Sequence, residues 1–252
     1  MQLTYFDSNS WLIEWDGVRI LLDPWFVGNL VFGGADWLFK GSKNQQHQIP
    51  EDIDLILLSQ GLEDHAHPPT LKQLDRSIPV IASPKAAEVV TELGYSSITT
   101  LEHGATYSCK QVQVKALPGS LVGVTTVENA YLITGLDSGK TLYYEPHGNH
   151  SSEAQELDSV DVAIAPLVNL KLPLIGAVIK GQKTALELCQ KLKPQVILST
   201  AAGGDVSFEG ILTSLLKEDG SVERFKQLLQ QNGLSTLAID PQSGENIELS
   251  LV

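Results

Sequence analysis

The chain has 252 residues, 42% hydrophobic and 19% charged, which supplies a sizeable core for one large domain or two small ones. Thirty acidic against 17 basic residues leave a net charge of −13 and exclude the clustered basic surface that nucleic-acid binding needs. No apolar run approaches the roughly 18 residues that span a bilayer, and no basic stretch followed by an apolar core opens the chain, so neither a signal peptide nor a transmembrane segment is expected.

Residues 1–23 read as two or three strands, because Leu3, Tyr5, Trp11, Ile13 and Trp15 alternate with polar positions. Asp16-Gly17 is a hairpin turn signal, and the apolar strand 18–22 runs into Asp23-Pro24-Trp25. Residues 26–50, with Gly28, Gly33, Gly34, Trp37 and Phe39, show no periodicity and read as a long ordered loop. A buried strand at 54–59 leads to a short helix from Pro69 to about Asp75. Strand 80–82, helix 84–93 closed by Gly94, and strands near 98–101, 112–117, 129–134 and 141–144 follow. Strand 160–165, helix 183–192, strand 196–199, helix 220–231 and strands 235–239 and 246–251 complete the pattern. No linker or repeat divides it, so residues 1–252 are expected to form a single domain of two packed sheets with helices on both outer faces. Cys109 and Cys189 stand apart, outside any C-x-x-C pair, which suits reduced thiols and a cytoplasmic location.

Two polar clusters follow strands. Asp64 and His65 lie after the strand 54–59, at the carboxyl end where α/β folds place their sites. A carboxylate beside an imidazole suits a divalent metal; the plainer alternative is a turn in which Asp64 caps the next helix. His67 is expected behind these two, in a supporting position. After the strand 141–144 come Glu145, His147 and His150, a carboxylate and two imidazoles within six residues, against which stands the reading of a solvated loop.

In this setting Ile20-Leu21-Leu22-Asp23-Pro24-Trp25 resembles the early strand and turn of the metallo-β-lactamase superfamily. The nearest branch contains ascorbate-6-phosphate lactonases and the phospholipases D that cleave N-acyl-phosphatidylethanolamine. The family motif His-x-His-x-Asp-His, continued by Leu-x-x-Pro-Thr-Leu, aligns with Gln60-Gly61-Leu62-Glu63-Asp64-His65 and then Ala66 to Leu71. The resemblance implies a four-layer αββα sandwich. It also exposes departures. Gln60 and Leu62 replace the two leading histidines, and no histidine stands near Pro118 to Leu121 or near Thr200 to Ala202, where two later ones belong. Pro146 takes the place of the bridging aspartate. A two-metal centre cannot be built from what remains.

The resemblance therefore implies a hydrolase-like protein with an altered, at most single-metal site. Asp64 and His65 are the expected catalytic pair, and Asp64, His65, Glu145 and His147 the expected ligands of one divalent ion, Zn, Mn or Fe. The substrate would be a small ester, lactone or phosphodiester, met by Gln60 and by the aromatic segment with Trp25 and Trp37. His67 and His150 would support the ligands. The alternative is a metal-free, non-catalytic descendant whose old pocket binds a small molecule or a protein partner; the apolar Leu62 favours it. Metal-free acid–base chemistry by Asp64–His65 or Glu145–His147 is a third possibility, for which no nucleophile stands out.

Overall fold

The N-terminal alternation folds into three antiparallel strands, β1 (Gln2–Tyr5), β2 (Trp11–Trp15) and β3 (Val18–Leu22). Trp11, Ile13 and Trp15 enter one core, while Leu12 and Leu21 enter another. A strand buried on both faces must carry apolar residues at nearly every position, and β2 does. The computed structural model describes every residue except 123–124, 174–175 and 202–203.

Sheet one continues from β3 through three parallel strands, β6 (Leu55–Leu58), β7 (Val80–Ala82) and β8 (Ile98–Thr100). At its far edge β20 (Asn246–Glu248) pairs antiparallel with β1. Sheet two repeats this plan. An antiparallel half, β9 (Thr106–Cys109), β10 (Val112–Val122), β11 (Thr126–Gly135) and β12 (Thr141–Tyr144), leads into a parallel half. That half is β12, β13 (Val162–Ala165), β16 (Val196–Ser199) and β19 (Leu237–Ile239).

Three apolar layers hold these sheets. Between them Leu3, Tyr5, Trp11 and Leu57 meet Val114, Tyr131, Tyr144 and Ile164. Outside sheet one, α1 (Pro68–Leu71) and α2 (Pro84–Glu92) lay Leu71, Ala86 and Val90 on Leu21, Ile56 and Leu58. Outside sheet two, α3 (Ser152–Gln155), α4 (Lys183–Leu192) and α6 (Val222–Gln231) lay Ala154, Leu188 and Phe225 on Tyr143, Ala163 and Ile197. This is the expected αββα order of layers. Ser83, Ser151 and Ser221 start α2, α3 and α6 by accepting a backbone N–H into the side-chain oxygen.

Two segments build small sheets beside the sandwich, and the first differs from expectation. Residues 26–50 are not all loop: β4 (Leu30–Val31) and β5 (Lys40–Lys43) form a small sheet with β17 (Val206–Glu209). The apolar run 170–179 makes a hairpin, β14 (Asn169–Leu172) and β15 (Gly176–Ile179), extended by β18 (Lys217–Asp219). In the chain the short helix α5 (Ile211–Leu215) links β17 to β18. Strand β5 gains order from β17, over 150 residues away, and no local periodicity announces either. Both cysteines are free thiols, and among the described residues no helix is long and apolar enough to cross a membrane.

Candidate metal centre

Parallel strands of both sheets deliver their next residues to one edge, the place where open α/β sheets gather ligands. Strand β3 is followed by Asp23, β6 by Ser59 to His67, β12 by Glu145 to His150 and β16 by Thr200. The loop after β6 folds tightly: the N–H groups of His65 and Ala66 both donate to the Leu62 carbonyl, at 3.0 and 2.8 Å. Gly61 lets this loop pass α2, since a Cβ there would lie 2.8 Å from Lys85 Cβ.

Asp64, His65 and His147 each offer a ligand atom, and the three atoms lie within 4.8 Å of one another. His65, fully buried, is the centre of the group. Its Nδ1 is 2.7 Å from Asp23 Oδ2 and its Nε2 is 3.2 Å from Asp64 Oδ2. Asn9 Nδ2 stands 3.5 Å from the same Nε2. Asp23 also accepts from the Ser59 N–H at 2.7 Å, from the Ser59 hydroxyl and from the Tyr144 hydroxyl at 2.6 Å. A carboxylate behind a ligating imidazole fixes the ring and its tautomer. On the other side, Gln60 Nε2 is 2.7 Å from His147 Nδ1.

The charges follow from burial and neighbours. Burial works against the His65 imidazolium, but Asp64 and Asp23 outweigh it and raise the pKa to about 10. Burial also opposes the Asp64 charge, yet His65 and then His147 hold that carboxyl below its ordinary value. Burial pushes His147 down to about 4, reinforced by the His65 charge and opposed by Asp64. Without an ion, His65 thus stands as a buried imidazolium facing Asp23 and Asp64.

The remaining expected residues stand elsewhere. Glu145 does not join the group. Its Oε1 accepts from Ser120 Oγ at 2.6 Å, and its Oε2 accepts from the N–H groups of His147 and Asn149 at 3.1 and 2.7 Å. Both oxygens are therefore spent on shaping the loop that carries His147. Burial still pushes this carboxyl up to about 7, against the pull of Ser120 and of the Asn149, Gly148 and His147 N–H groups. Gly148 matters equally: its φ is +75°, and a Cβ would fall 1.6 Å from the Lys180 carbonyl oxygen.

His150 lies on the other face of sheet two. Alternation sends Tyr144 inward to Asp23 and Tyr143 outward, where its hydroxyl is 3.1 Å from His150 Nδ1. His67 supports the aromatic segment instead of the ligands: its Nδ1 is 3.0 Å from Thr70 Oγ1 and its Nε2 is 3.2 Å from the Asn29 carbonyl. Trp25 is fully buried beneath Lys43 Nζ, 4.5 Å from the ring, and offers no surface to a ligand. Trp37 is 65% exposed. The aromatic segment does reach the site loop, through the Gly33 N–H donated to Glu63 Oε1 at 2.8 Å.

Asp23, Ser59, Tyr144 and Asn9 escape sequence reasoning. The one available signal is the buried apolar strand ending in Asp23-Pro24, and only the fold shows what that aspartate meets. Of the positions where the resemblance leads one to expect histidines, Gln60, Ser120 and Thr200 are buried and Leu62 is half-buried; Ala202 lies outside the described residues. Among the described residues the donors that converge are those of one ion. They are a carboxylate and two imidazoles, the composition of catalytic sites that keep one position open. Asp64 Oδ1 is buried with no hydrogen-bond partner among the described residues, a hard oxygen suited to a cation.

A family model for a beta-lactamase superfamily domain matches residues 2–201. Solved structures of similar fold include an isothiocyanate hydrolase from Delia radicum gut bacteria, 16% identical, with 99% of each chain covered and a TM-score of 0.70. A protein described as a possible metal-dependent hydrolase from Veillonella parvula is 15% identical over 99% of each chain, with a TM-score of 0.73. Igni18, a metallo hydrolase from the hyperthermophilic archaeon Ignicoccus hospitalis, is 19% identical over 99% of each chain, with a TM-score of 0.68. At these identities the likeness is one of fold. Among curated protein sequences nothing matches the chain.

Proposed function

This chain belongs to the beta-lactamase superfamily, and we propose that it is a hydrolase whose centre holds a single divalent ion through Asp64, His65 and His147. The observation that carries this reading is the convergence of the three donors around a buried Asp64 oxygen that lacks a partner among the described residues. Asp64, His65 and His147 would hold an ion of Zn, Mn or Fe, which would supply Lewis acidity toward an ester, lactone or phosphodiester and a water activated near neutral pH. The chain's own residues do the rest. Asp23 accepts the Nδ1 proton of His65 and keeps Nε2 turned to the group. Glu145 shapes the loop that presents His147. The exposed Trp37 on the aromatic segment is the contact for a small-molecule substrate, whereas Gln60, fully buried beside His147, packs against the ligand group.

One observation favours a second reading, a metal-free descendant that binds a small molecule or a protein partner. His65 already lies between Asp23 and Asp64, so a proton on His65 offsets part of the buried negative charge without an ion. Elemental analysis of the untagged protein before and after EDTA, with melting followed in parallel, separates the two. About one equivalent of metal, lost together with stability and absent from His65→Ala, supports the hydrolase. No metal, and no melting shift with any divalent ion, leaves the descendant.

A further inference from the structure

Loop 59–67 and helix α2 face the ends of strands β10 and β11 across a cavity of about 330 Å3. Leu62, Val89 and Val122 are its apolar lining. Its charged lining among the described residues is three acids, Glu88, Glu92 and Glu128, against the single cation Lys85. Lys85 is already engaged: its Nζ lies 2.8 and 3.0 Å from the two carboxylate oxygens of Glu88. Glu128 is in a different position. Only 2% of it is exposed, and its Oε2 is buried with no partner among the described residues. Burial pushes this carboxyl above its ordinary range, against the pull of the Ser83 hydroxyl, the Gly61 N–H and the His65 charge. A buried carboxylate oxygen without a partner destabilises the fold unless something meets it.

Few groups suit that oxygen. A divalent ion wants several donors together, and among the described residues such a group stands at Asp64, His65 and His147 and not here. A guanidinium presents a planar fork that matches two oxygens, whereas one is free. An ammonium is compact and asks for one charged acceptor, and the alkyl stem behind it would cover Leu62, Val89 and Val122. We propose that this cavity binds the ammonium end of a small aliphatic amine, with Glu128 as the carboxylate that receives it. An occupant lies against Gly61 and Leu62, in the loop that carries Asp64 and His65. The inference stands apart from the ion, since it needs neither a metal nor hydrolysis. The rival occupant is internal: Lys85, released from Glu88, turned toward Glu128.

The test is proton–nitrogen NMR of the metal-free protein in EDTA, titrated with n-butylammonium and separately with 1-butanol. The work is done at about pH 7, where butylammonium carries its charge as lysine does; butanol has the same body without the charge. Saturable shifts centred on the amide signals of Gly61, Leu62 and Val89 are expected, with a Kd of roughly a millimolar. Butanol on the wild type, and butylammonium on Glu128→Gln, should bind about tenfold more weakly or worse. Lys85→Met should bind butylammonium at least as well as the wild type. Equal binding of the two probes, or equal binding of butylammonium by wild type and Glu128→Gln, overturns the inference. So do the absence of any saturable shift and shifts centred on His147. Binding seen only in Lys85→Met gives the cavity to Lys85 and overturns it as well. If Glu128→Gln does not fold, the comparison of the two probes on the wild type decides.

Discussion

Loop 59–67 of sheet one and loop 145–150 of sheet two leave equivalent strand ends, yet they are held differently. The first hangs on a side-chain hub: Asp23 accepts from the Ser59 N–H, the Ser59 hydroxyl, His65 and the Tyr144 hydroxyl. The second is held by backbone: N–H groups of His147 and Asn149 wrap Glu145, and Gly148 presses on the Lys180 carbonyl. A charged hub depends on its one acceptor. A backbone cradle depends on shape and tolerates a change of charge.

The largest expected effect comes from breaking the hub. Asp23→Ala removes the acceptor of four buried donors and strands the His65 charge, at a cost of about 3–5 kcal/mol; urea denaturation of the metal-free protein measures it, and a loss under about 1 kcal/mol would contradict the hub. Gly148→Ala attacks the cradle by shape, combining a positive φ with the clash at Lys180, and should cost about 2–3 kcal/mol in the same assay. Glu145→Gln changes only the cradle's charge. It should cost less than about 1 kcal/mol at pH 7, because an amide oxygen still accepts from the loop N–H groups while its nitrogen donates to Ser120.

Acidity separates the two loops further. The His65 pKa is about 10 in the fold, above its ordinary value near 6.5, so its contribution is complete below that value and is lost as pH rises through 10. Glu145, at about 7, acts in the same direction over a lower window: its contribution is complete below about 4.5 and fades as pH rises through 7. His147, at about 4, works oppositely, adding stability above 6.5 that is lost as pH falls through 4. The stability of the metal-free protein should therefore change little between about pH 4.5 and 6.5, where Glu145 and His147 oppose each other, and fall as pH rises from 6.5 through 10 by an amount on the order of a few kcal/mol, read from urea denaturation. Glu145→Gln should leave that fall in place and uncover a rise in stability between about pH 4 and 6.5, which His147 then contributes unopposed. A saturating divalent ion should reverse the alkaline loss, because it competes with the proton on His65. The smallest effect belongs to neither loop: Trp37→Ala, on an exposed side chain, should leave the midpoint within about 0.5 kcal/mol.

The sequence reveals the sandwich well, because Leu3, Trp11 and Ile13 or the apolar run 55–58 announce their strands by composition and period alone. It also locates the two strand-end clusters that bring Asp64, His65 and His147 together. It hides direction. Glu145 and His147 look alike as ligand candidates, but whether a carboxylate faces a metal or its own backbone depends on Ser120, 25 residues earlier. Asp23 reads as a turn residue because its partners are 36, 42 and 121 positions away. Tyr143 and Tyr144 are neighbours in the chain and serve opposite faces of a sheet. Trp25 and Trp37 look equivalent as substrate walls, and only packing shows that one is core.

Tyr144 reaches Asp23 across 121 positions, and Gln60 reaches His147 across 87. Contacts so distant in the chain form slowly, since the intervening segment must close into a loop before they are rewarded. The order of assembly follows. Sheet one can collect its first strands while the chain is still short, but the hub stays incomplete until β12 arrives from the other half. A partly folded chain therefore has the carboxylates and imidazoles without their convergence. Whatever this centre binds, it binds only after sheet has docked on sheet, so ligand capture reports a finished fold.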